Sequence, residues 1–596
     1  FVYFDDDFSG KPLVFVGTFG LIPNIVNGKR SDYKKAMPKD LIVMMGGRVG
    51  CDGIHGATFS SEVMDSGSPA TAVQIGDPIT QKKMSDALIK DARDRNLYTS
   101  ITDNGAGGIS CSVAEMAEES GGFTVDLEKV PTKYAGIQPW EIWISESQER
   151  MTLSVPKDKV EELKDLMDSR GVEMTVIGEF NESSSAVVRY DGKIIMDIDM
   201  DFLHEGLPKT RRISEVIEQK VEEPDFKVPE DLSQTLKDMI KRINLCSFSF
   251  ITNQYDFEVQ GGSVLKPLQG EGQVNATASV TRLLNNSDKG IILSQGITAK
   301  YSRIDTYHMA ASAIDTAIRN AVSVGGNVDR MALMDNFCWC SSNDPKRLYQ
   351  LKMAAKACYD YATAYMTPFI SGKDSMFNDF KGYDENNNPV LISVPPTLLI
   401  TATGVMENVN NAVSLDVKAQ EDLIYTIGRT RDELGGSEYY EYMGDILEGK
   451  PFIGASVPKV DAIKAIGSYR KLYSAIEDNL IASSISVSSG GIGIALAKMC
   501  IAGNLGCMID LSRLKREDTE RDDFTLFSES QSRIIVTIDP KDKEKFENMM
   551  EGTDLSLIGR VTDENTLRIK DLKGDMIVDC QVKDLKAPYQ KTFENF

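Results

Sequence analysis

The sequence is poor in the side chains that build zinc sites, disulfide scaffolds and histidine-based catalytic triads. Its 596 residues include three histidines and nine cysteines, and no two cysteines follow the Cys-x-x-Cys spacing. A structural zinc site needs four such ligands and a disulfide scaffold needs far more cysteine, so the sequence argues against both. Sparse, scattered cysteine is typical of a reducing compartment, and we expect a cytoplasmic protein.

Positive charge is scarce relative to negative charge. Lys and Arg number 66 against 89 Asp and Glu, which gives a formal net charge of −23. Nucleic-acid binding depends on clustered cations that neutralise phosphates. The balance therefore argues against a nucleic-acid partner and leaves room only for a local basic pocket that takes a phosphorylated small molecule.

Long apolar runs and an initiator methionine are also absent. No run reaches the ~18 consecutive apolar residues of a membrane helix, so we expect no membrane contact. The chain begins FVYFDDDFSG, without the basic and apolar segments of a signal peptide. Because the first residue is not Met, we expect the native N-terminus to lie upstream.

What the sequence does contain is a degenerate internal repeat. The stretch SESQER around Glu146 recurs as SESQSR around Glu529, 383 residues later. Two further blocks match at nearly the same spacing: the glycine pairs 107–108 and 490–491, and DLIVMMG at 40–46 with DLIYTIG at 422–428. Collinear matches of this kind predict two copies of one module of roughly 170 residues.

A further match concerns the start of the chain. LVFVGTFGLIPNI at 13–25 resembles TLLITATGVMENV at 397–409, which closes a segment that begins near residue 240. The corresponding segment of the first copy would begin before residue 1. We therefore expect 13–25 to be the last strand of a paired module, of which roughly 140 residues are missing from the sequence.

Hydrophobic periodicity places strands and helices in alternation. It predicts helices over 83–94 and 109–118, and strands over 150–155 and 533–538, each strand being followed by an amphipathic helix. The predicted class is therefore α+β, built from α/β modules.

The motif DNGAGGIS at 103–110 combines an acid with a glycine-rich turn into a helix. Such a turn can hold a metal ion on Asp103 beside backbone N–H groups that face an anion. The alternative is a plain turn in which Asp103 caps the helix. The second copy keeps the glycines but has Ser486 in place of the acid, which favours a site present in only one half.

Two other motifs of the first copy carry polar side chains. Glu146, Ser147 and Gln148 precede a strand and can bind a polyhydroxy or phosphate ligand, and Gln74 in VQIGDP precedes a tight turn. The alternative for the first group is a strand-capping loop, which is favoured by the same three letters in the second copy. His55 is a lone histidine, which is more often a packing or hydrogen-bonding group, so we expect no catalytic role for it.

Two motifs lie between the copies. ISGKDSMFNDF at 370–380 places Gly372, Lys373 and Ser375 in a predicted turn that offers N–H groups, a cation and a hydroxyl to a nucleotide phosphate. Its spacing is not that of a Walker A motif. ALMDNF is an apolar strand that we expect to end at Asp335, where an acid faces a ligand or serves as a turn residue.

Taken together and in this order, these motifs resemble the phosphoribosylformylglycinamidine synthase family. This ATP-dependent synthetase of purine biosynthesis belongs to the aminoimidazole ribonucleotide synthetase superfamily, and the resemblance covers nearly the whole chain. It implies a tandem-repeat pseudo-dimer, in which two N-terminal-type modules form a central barrel flanked by two C-terminal-type modules. The implied division is a remnant of the first N-terminal-type module at 1–36, the first C-terminal-type module at 37–208, a linker at 209–240, the second N-terminal-type module at 241–417 and the second C-terminal-type module at 418–596.

The resemblance also implies the chemistry and the roles of the motif residues. The expected reaction is ATP-dependent amidation of formylglycinamide ribonucleotide, through a phosphorylated amide that is attacked by ammonia from a glutaminase subunit or domain. The family's catalytic histidine is expected in the missing module. The implied roles are magnesium binding for Asp103, substrate binding for Gln74, Glu146, Ser147, Gln148 and Ser375, and ATP binding for Asp335, Gly372 and Lys373. Lys373 stands where shorter enzymes carry a metal-binding Asn, so it is expected to pair with phosphate.

Two alternatives stay open at this point. One is a non-catalytic nucleotide-binding paralogue or scaffold of the same superfamily, which would bind nucleotide without turnover. The other is a different superfamily enzyme, similar to selenophosphate synthetase or thiamine phosphate kinase. Those are single-repeat chains that dimerise, so the duplication within this chain argues against them.

Overall fold

The structure, a computed structural model, describes residues 2–65, 76–217 and 221–595. The chain forms two compact units, each considered by itself. The first unit comprises residues 14–212 and 380–391, and the second comprises residues 1–13, 213–379 and 392–596. Within the described ranges, no helix combines the length and the apolar character needed to cross a membrane.

The first unit is built on a seven-stranded sheet. The strands of the sheet are β3 Leu41–Gly46, β4 Ser100–Asp103, β5 Gly122–Asp126, β6 Arg150–Val155, β7 Met174–Asn181, β8 Ser185–Tyr190 and β9 Lys193–Asp199, and two short strands, β1 Ile25–Val26 and β2 Lys29–Arg30, precede them. Its helices are α1 Gly56–Phe59, α2 Pro78–Ala87, α3 Ile109–Ser120, α4 Pro139–Ile144, α5 Val160–Arg170 and α6 Met200–Glu205. The order in the sheet is β4-β6-β3-β7-β5-β8-β9, while β1 and β2 form a separate hairpin.

Strand β3 explains why this sheet carries helices on both faces. Its side chains alternate between two cores: Ile42 and Met44 pack into the core that contains α3, while Val43 and Met45 pack into the core that contains α2 and α5. A strand that is buried on both faces needs an unbroken apolar sequence, which the run LIVMM provides.

The second unit contains a second seven-stranded sheet and a six-stranded sheet. Before residue 420 its elements are α7 Leu232–Ile240, α8 Ser249–Thr252, β10 Ser263–Leu265, β11 Leu268–Gln269, β12 Val274–Asn275, β13 Ala278–Arg282, β14 Gly290–Gly296, α9 Thr306–Ser323, β15 Met331–Cys338, α10 Pro345–Tyr365, β16 Phe369–Ser375 and β19 Thr397–Met406. The hairpin β17 Asp379–Tyr383 and β18 Pro389–Ser393 falls largely in the first unit. The six-stranded order is β10-β13-β14-β19-β15-β16, and α9 and α10 pack into its core.

The seven-stranded sheet of the second unit repeats the topology of the first. Its region contains β20 Leu423–Ile427, β21 Thr430–Arg431, α11 Glu438–Glu448, α12 Ala462–Glu477, β22 Ser483–Ser486, α13 Gly491–Gly503, β23 Gly506–Asp510, β24 Arg516–Glu517, α14 Asp522–Phe527, β25 Ile534–Ile538, α15 Lys543–Met549, β26 Leu555–Thr562, β27 Thr566–Lys570, β28 Met576–Gln581 and α16 Val582–Lys591. The order β22-β25-β20-β26-β23-β27-β28 matches the first sheet strand for strand.

Most of the predicted elements are present. The helix predicted over 109–118 is α3, and the strands predicted over 150–155 and 533–538 are β6 and β25. The helix predicted over 83–94 lies within α2 and a π-helical turn, Leu88–Ala92, that follows it.

The prediction of a strand over 13–25 is wrong. Apart from the two residues of β1, this segment has no regular secondary structure in the described range, and Val14 and Leu21 are exposed by 89% and 61%. Its counterpart β19 is hydrogen-bonded on both sides, to β14 and β15. A strand needs such neighbours to satisfy its backbone N–H and C=O groups, and no strand in the described residues lies beside 13–24.

Candidate functional site

The turn before β6 in the first unit is held by a buried carboxylate. Glu146 is 5% exposed, and its two oxygens accept hydrogen bonds from the backbone N–H of Ala57 at 2.9 Å and of Gly107 at 3.1 Å. Ala57 lies in α1 and Gly107 lies in the glycine-rich turn before α3. Glu146 therefore joins both of these segments to the turn before β6.

Ser147 adds further hydrogen bonds to this turn. We call the hydrogen bonds that Glu146 and Ser147 make to the surrounding backbone the brace. Its hydroxyl accepts from the N–H of Gly50 at 3.0 Å and donates to Asp52 Oδ1 at 2.8 Å. Burial opposes the charge on Asp52, but hydrogen bonds from Lys133 and Ser147 outweigh it, so the pKa of Asp52 lies below its usual value. Gln148, in contrast, is exposed and is the member of the three that faces solvent.

Arg150 anchors this turn from beneath and was missed by the sequence analysis. It is 3% exposed, and its guanidinium donates from Nε to the carbonyl of Ser147 at 2.7 Å and from Nη2 to the carbonyl of Ser145 at 2.5 Å. Burial lowers its pKa to about 10. The signal that could have revealed it is the arginine at the same place in both SESQ repeats.

The glycine-rich turn is a structural turn first. The N–H of Gly105 donates to Asp103 Oδ1 at 2.8 Å, that of Gly107 donates to Glu146, and that of Gly108 donates to the carbonyl of Gly105 at 3.0 Å. These three N–H groups are therefore not directed at an anion, and the N–H groups at the start of α3 are the ones to which the prediction still applies. Gly108 has a φ of 59°, and a Cβ there would lie 2.0 Å from the carbonyl oxygen of Ser145, so only glycine fits.

Negative charge is concentrated around Asp103. The side chain of Asp103 is exposed at the end of β4. Burial raises the pKa of the nearby Cys111 thiol to about 11, and the charges of Glu115, Asp103 and Glu146 add to this effect. No group of three or more His, Cys, Asp or Glu side chains within the described ranges forms a metal cage. A cation here would have Asp103 as its ligand from this turn.

Asp335 and Gly372 lie side by side in the second unit. Strands β15 and β16 pair in parallel with Asp335 opposite Gly372, and a Cβ at Gly372 would lie 2.3 Å from Asp335 Oδ1. The half-buried position and the charge of Asp374 raise the pKa of Asp335. The glycine thus leaves space for a carboxylate that projects over the neighbouring strand.

Two predictions about these motifs are wrong. The Gly-Lys-Asp-Ser stretch is not a turn with an N–H nest, because 369–375 forms strand β16, in which Lys373 pairs with Asn336 and is exposed. Strand β15 continues through Asp335 to Cys338 rather than ending there. The cause is pairing: the ladders to β16 and β19 extend past the acid and override the local preference for a turn.

The remaining predicted residues have simple positions. Ser375 is buried at the end of β16, where its hydroxyl lies 3.1 Å from Asn378 Oδ1 and its carbonyl accepts from the N–H of Trp339. His55 is exposed and has a φ of 61° just before α1. Gln74 lies outside the described residues.

In the second copy, side chains from the segment 299–323 cover the brace, and we call this copy closed. Glu529 accepts from the N–H of Gly490 at 2.8 Å and of Glu438 at 3.1 Å, and it also accepts from the hydroxyl of Tyr301 at 2.6 Å. Its burial raises its pKa to about 7. Arg319, which is fully buried on α9, donates to the hydroxyl of Ser486 at 2.8 Å.

Comparison with known proteins identifies the family. A family model described as AIR synthase related protein, C-terminal domain, matches twice, at residues 38–191 and 419–571. The phosphoribosylformylglycinamidine synthase subunit PurL of Thermoplasma volcanium is 30% identical over 99% of this chain and 74% of its own length. The PurL subunit of Caldanaerobacter subterraneus is 31% identical over 99% of this chain and 77% of its own length. The chain belongs to the PurL family. The two matched ranges confirm the internal repeat.

A solved structure supports the same fold. Thermotoga maritima PurL complexed with FGAR has a TM-score of 0.60 and 21% identity, and the match covers 90% of this chain and 74% of that one. Membership of the PurL family confirms the resemblance drawn from the motifs. The module boundaries stay predictions.

Proposed function

We propose that the chain catalyses the ATP-dependent conversion of formylglycinamide ribonucleotide to formylglycinamidine ribonucleotide, a C–N ligase reaction of purine biosynthesis. The observation that carries this proposal is the match to PurL subunits along 99% of the chain. Solved Thermotoga maritima PurL structures are described as complexes with FGAR and with ATP, which supports the same two substrates here. A non-catalytic paralogue is not favoured.

The substrate side of the site is proposed to lie on the braced turn of the first unit. Glu146 and Ser147 are buried and bonded to loop backbone, so their part is to fix the shape of the turn, whereas exposed Gln148 has its side chain at the surface. Gln74 and Ser375 are the further substrate contacts that the family resemblance implies. The fixed shape of the turn at Glu146 and Ser147 lowers the entropy that is lost when a substrate bound there is aligned.

The nucleotide side is proposed to involve Asp335, Gly372 and Lys373. Lys373 is an exposed cation on β16, and because side chains alternate along a strand it lies on the face opposite the Asp335 carboxylate. Its charge suits a phosphate oxygen. ATP would phosphorylate the formamide oxygen, ammonia would then attack the carbon, and phosphate would leave. Charge on the transferring phosphoryl group is the main quantity that such a site must stabilise.

Magnesium is proposed to bind at Asp103. Mg²⁺ is commonly held by one or two carboxylates together with substrate phosphates and water. One exposed carboxylate in a negatively charged neighbourhood fits that pattern, although no complete protein cage is present in the described residues. When bound, Mg²⁺ would neutralise charge on the ATP phosphates.

Ammonia is proposed to come from a separate glutaminase subunit. The relatives are named as subunits, and one solved Thermotoga maritima structure is described as PurLQS. The first N-terminal-type module and the catalytic histidine expected in it stay predictions, since the chain spans about three quarters of the relatives' length.

The test is an assay of the full open reading frame with ammonium ion, ATP, magnesium and formylglycinamide ribonucleotide. We expect one ADP and one phosphate for each amidine formed. ATP hydrolysis that is not coupled to amidine formation, or nucleotide binding without turnover, would contradict the proposal. In the same assay, Gln148→Ala should raise KM for formylglycinamide ribonucleotide, and Gln531→Ala, at the equivalent position of the second copy, is its matched control.

A further inference from the structure

A basic cavity lies in the second unit, on the repeat whose brace is closed. It has a volume of about 310 Å³ and lies among the end of β20, helix α12 and the loop 552–554. This size is at the lower end of the range for small-molecule sites. Five cationic side chains line it: Arg429, Arg431, Lys459, Lys464 and Lys471.

The positive charge in this cavity is only partly neutralised. Arg429 pairs with Asp554 at 2.9 Å, and Lys464 lies 3.6 Å from Asp461; these two acids are the only carboxylates among the described lining residues. Glu517, beside the lining, also pairs with Arg431 at 3.1 Å and with Arg429 at 3.4 Å, so the two arginines are neutralised more fully than the lysines. The backbone N–H of Lys459 donates to Glu433 Oε1 at 3.1 Å, but the ammonium groups of Lys459 and Lys471 form no ion pair within 4.0 Å in the described part of the chain. The Lys471 ammonium donates to the backbone carbonyl of Glu551. Such a cluster is unexpected in a chain whose net charge is −23.

Nothing in the packing of α12 requires a glycine at position 467, which lies beside the cavity. Gly467 lies in the interior of this 16-residue helix, its φ is not positive, and an added Cβ would meet nothing within 4 Å. Glycine there costs about 1 kcal/mol relative to alanine and relieves no clash. Because residues four apart share a helix face, Gly467 opens a groove between Ile463, which is 72% exposed, and Lys471.

The cavity is not inherited from the common module. At the spacing of 383 residues that relates the two SESQ turns, Gln81 of the first copy stands opposite Lys464, Met84 opposite Gly467 and Leu88 opposite Lys471. Lys464, Lys471 and the groove are therefore features of the second copy alone. None of them takes part in the hydrogen bonds that hold the SESQ turn in either copy.

We propose that this cavity binds a phosphate-bearing small molecule of the size of a sugar phosphate or a nucleoside monophosphate. Lys459 and Lys471 would hold the phosphate, because ammonium groups without a carboxylate partner gain most from an anion. The organic part would lie in the groove between Ile463 and Gly467. A polynucleotide is excluded by the acidic surface of the whole chain. The proposal is independent of the proposed reaction.

The first test measures binding to the purified protein by isothermal titration calorimetry. The probes are inorganic phosphate, ribose 5-phosphate and AMP, and the variant is Lys459→Gln with Lys471→Gln. We expect saturable binding of at least one probe below about 1 mM and a loss of about tenfold or more in the variant. Lys541→Gln with Lys545→Gln removes the same charge from an exposed region of the same repeat and should change affinity less than about twofold.

The second test fills the groove without changing the charge. Gly467→Leu should leave the thermal midpoint unchanged or raised, because leucine is a better helix former. It should weaken ribose 5-phosphate and AMP about tenfold while inorganic phosphate loses less. Tighter binding of ribose 5-phosphate or AMP than of phosphate supports the proposal, and equal binding of all three probes would contradict a place for the organic part in the groove. The absence of saturable binding, or equal binding by wild type and both variants, would overturn the proposal, since the probe would then occupy another site.

Discussion

The two copies of the SESQ turn are built alike and surrounded differently. In each copy a buried glutamate, Glu146 or Glu529, accepts two backbone N–H groups. In each copy an arginine, Arg150 or Arg533, donates to the same two carbonyl positions beneath the turn. The residues that the two copies share therefore hold the turn in shape, and their presence does not by itself indicate a binding site.

The differences lie above the brace. The first copy has an exposed acid at Asp103 and an exposed Gln148, whereas the second has buried Ser486 and buried Gln531. Arg319 contacts both of these buried residues, with its charge matched by Asp315. The same module thus has an exposed surface above the turn in the first copy and buried side chains above it in the second. We expect the residues that differ to decide which copy binds substrate.

The largest expected effect is the loss of stability when the buried Arg319 of the second copy is removed. Arg319→Met leaves Asp315 fully buried without its cation, and breaking a buried pair in this way costs about 3–5 kcal/mol. Urea unfolding of the second unit should shift to lower denaturant accordingly. Asp315→Asn added to Arg319→Met should recover part of the loss, and a single variant as stable as wild type would show that the closure is not structural.

Substituting the arginine beneath each turn separates stability from binding. Arg150→Lys and Arg533→Lys both lose the two-carbonyl contact of a buried guanidinium, at about 2–3 kcal/mol. We expect Arg150→Lys also to raise KM for formylglycinamide ribonucleotide about tenfold with a smaller change in kcat, because the turn that carries Gln148 loosens. Arg533→Lys should lower the thermal midpoint and leave KM unchanged, and equal KM effects would contradict the comparison.

The features that could be predicted are those that depend on neighbouring residues or on a direct match of sequence. Helix α3 and strands β6 and β25 follow from local hydrophobic patterns, and the repeat follows from matching stretches of sequence. Strand β16 was missed because a polar Gly-Lys-Asp-Ser stretch is locally typical of a turn, while its pairing with β15 is a tertiary effect. The closure by Arg319 was missed because it contacts Gln531 across 212 residues of sequence. Identical SESQ letters could not indicate which copy is exposed.

The stability of the second copy should depend on pH through Glu529. Glu529 has a folded pKa of about 7 against an ordinary value of 4.5, so the folded state holds this proton more tightly than the unfolded state. The stabilisation is complete below about pH 4.5 and is lost as the pH rises through 7, an effect of about 1–3 kcal/mol. Glu529→Gln should remove this dependence in urea titrations between pH 5 and 8.

The matched change in the first copy is expected to behave in the opposite way. At Glu529 one oxygen accepts both N–H groups and the other faces the Tyr301 hydroxyl, so an amide can replace the acid. At Glu146 each oxygen accepts a separate N–H, so glutamine would set its NH₂ against one of them, at about 1–3 kcal/mol. Equal stability of the two glutamine variants would contradict the geometry.

The smallest expected effect decides which residue of the turn meets the substrate. Gln148→Ala removes an exposed amide, so stability should change by less than about 0.5 kcal/mol while KM for formylglycinamide ribonucleotide rises about five- to tenfold. Gln531→Ala removes a buried acceptor from Arg319 and Thr316, so it should cost about 1 kcal/mol of stability and leave KM unchanged. Steady-state kinetics and thermal unfolding of both variants give the comparison. If Gln148→Ala leaves KM at the wild-type value, the exposed side chain is not a substrate contact, and exposure would then not distinguish the two copies of the turn.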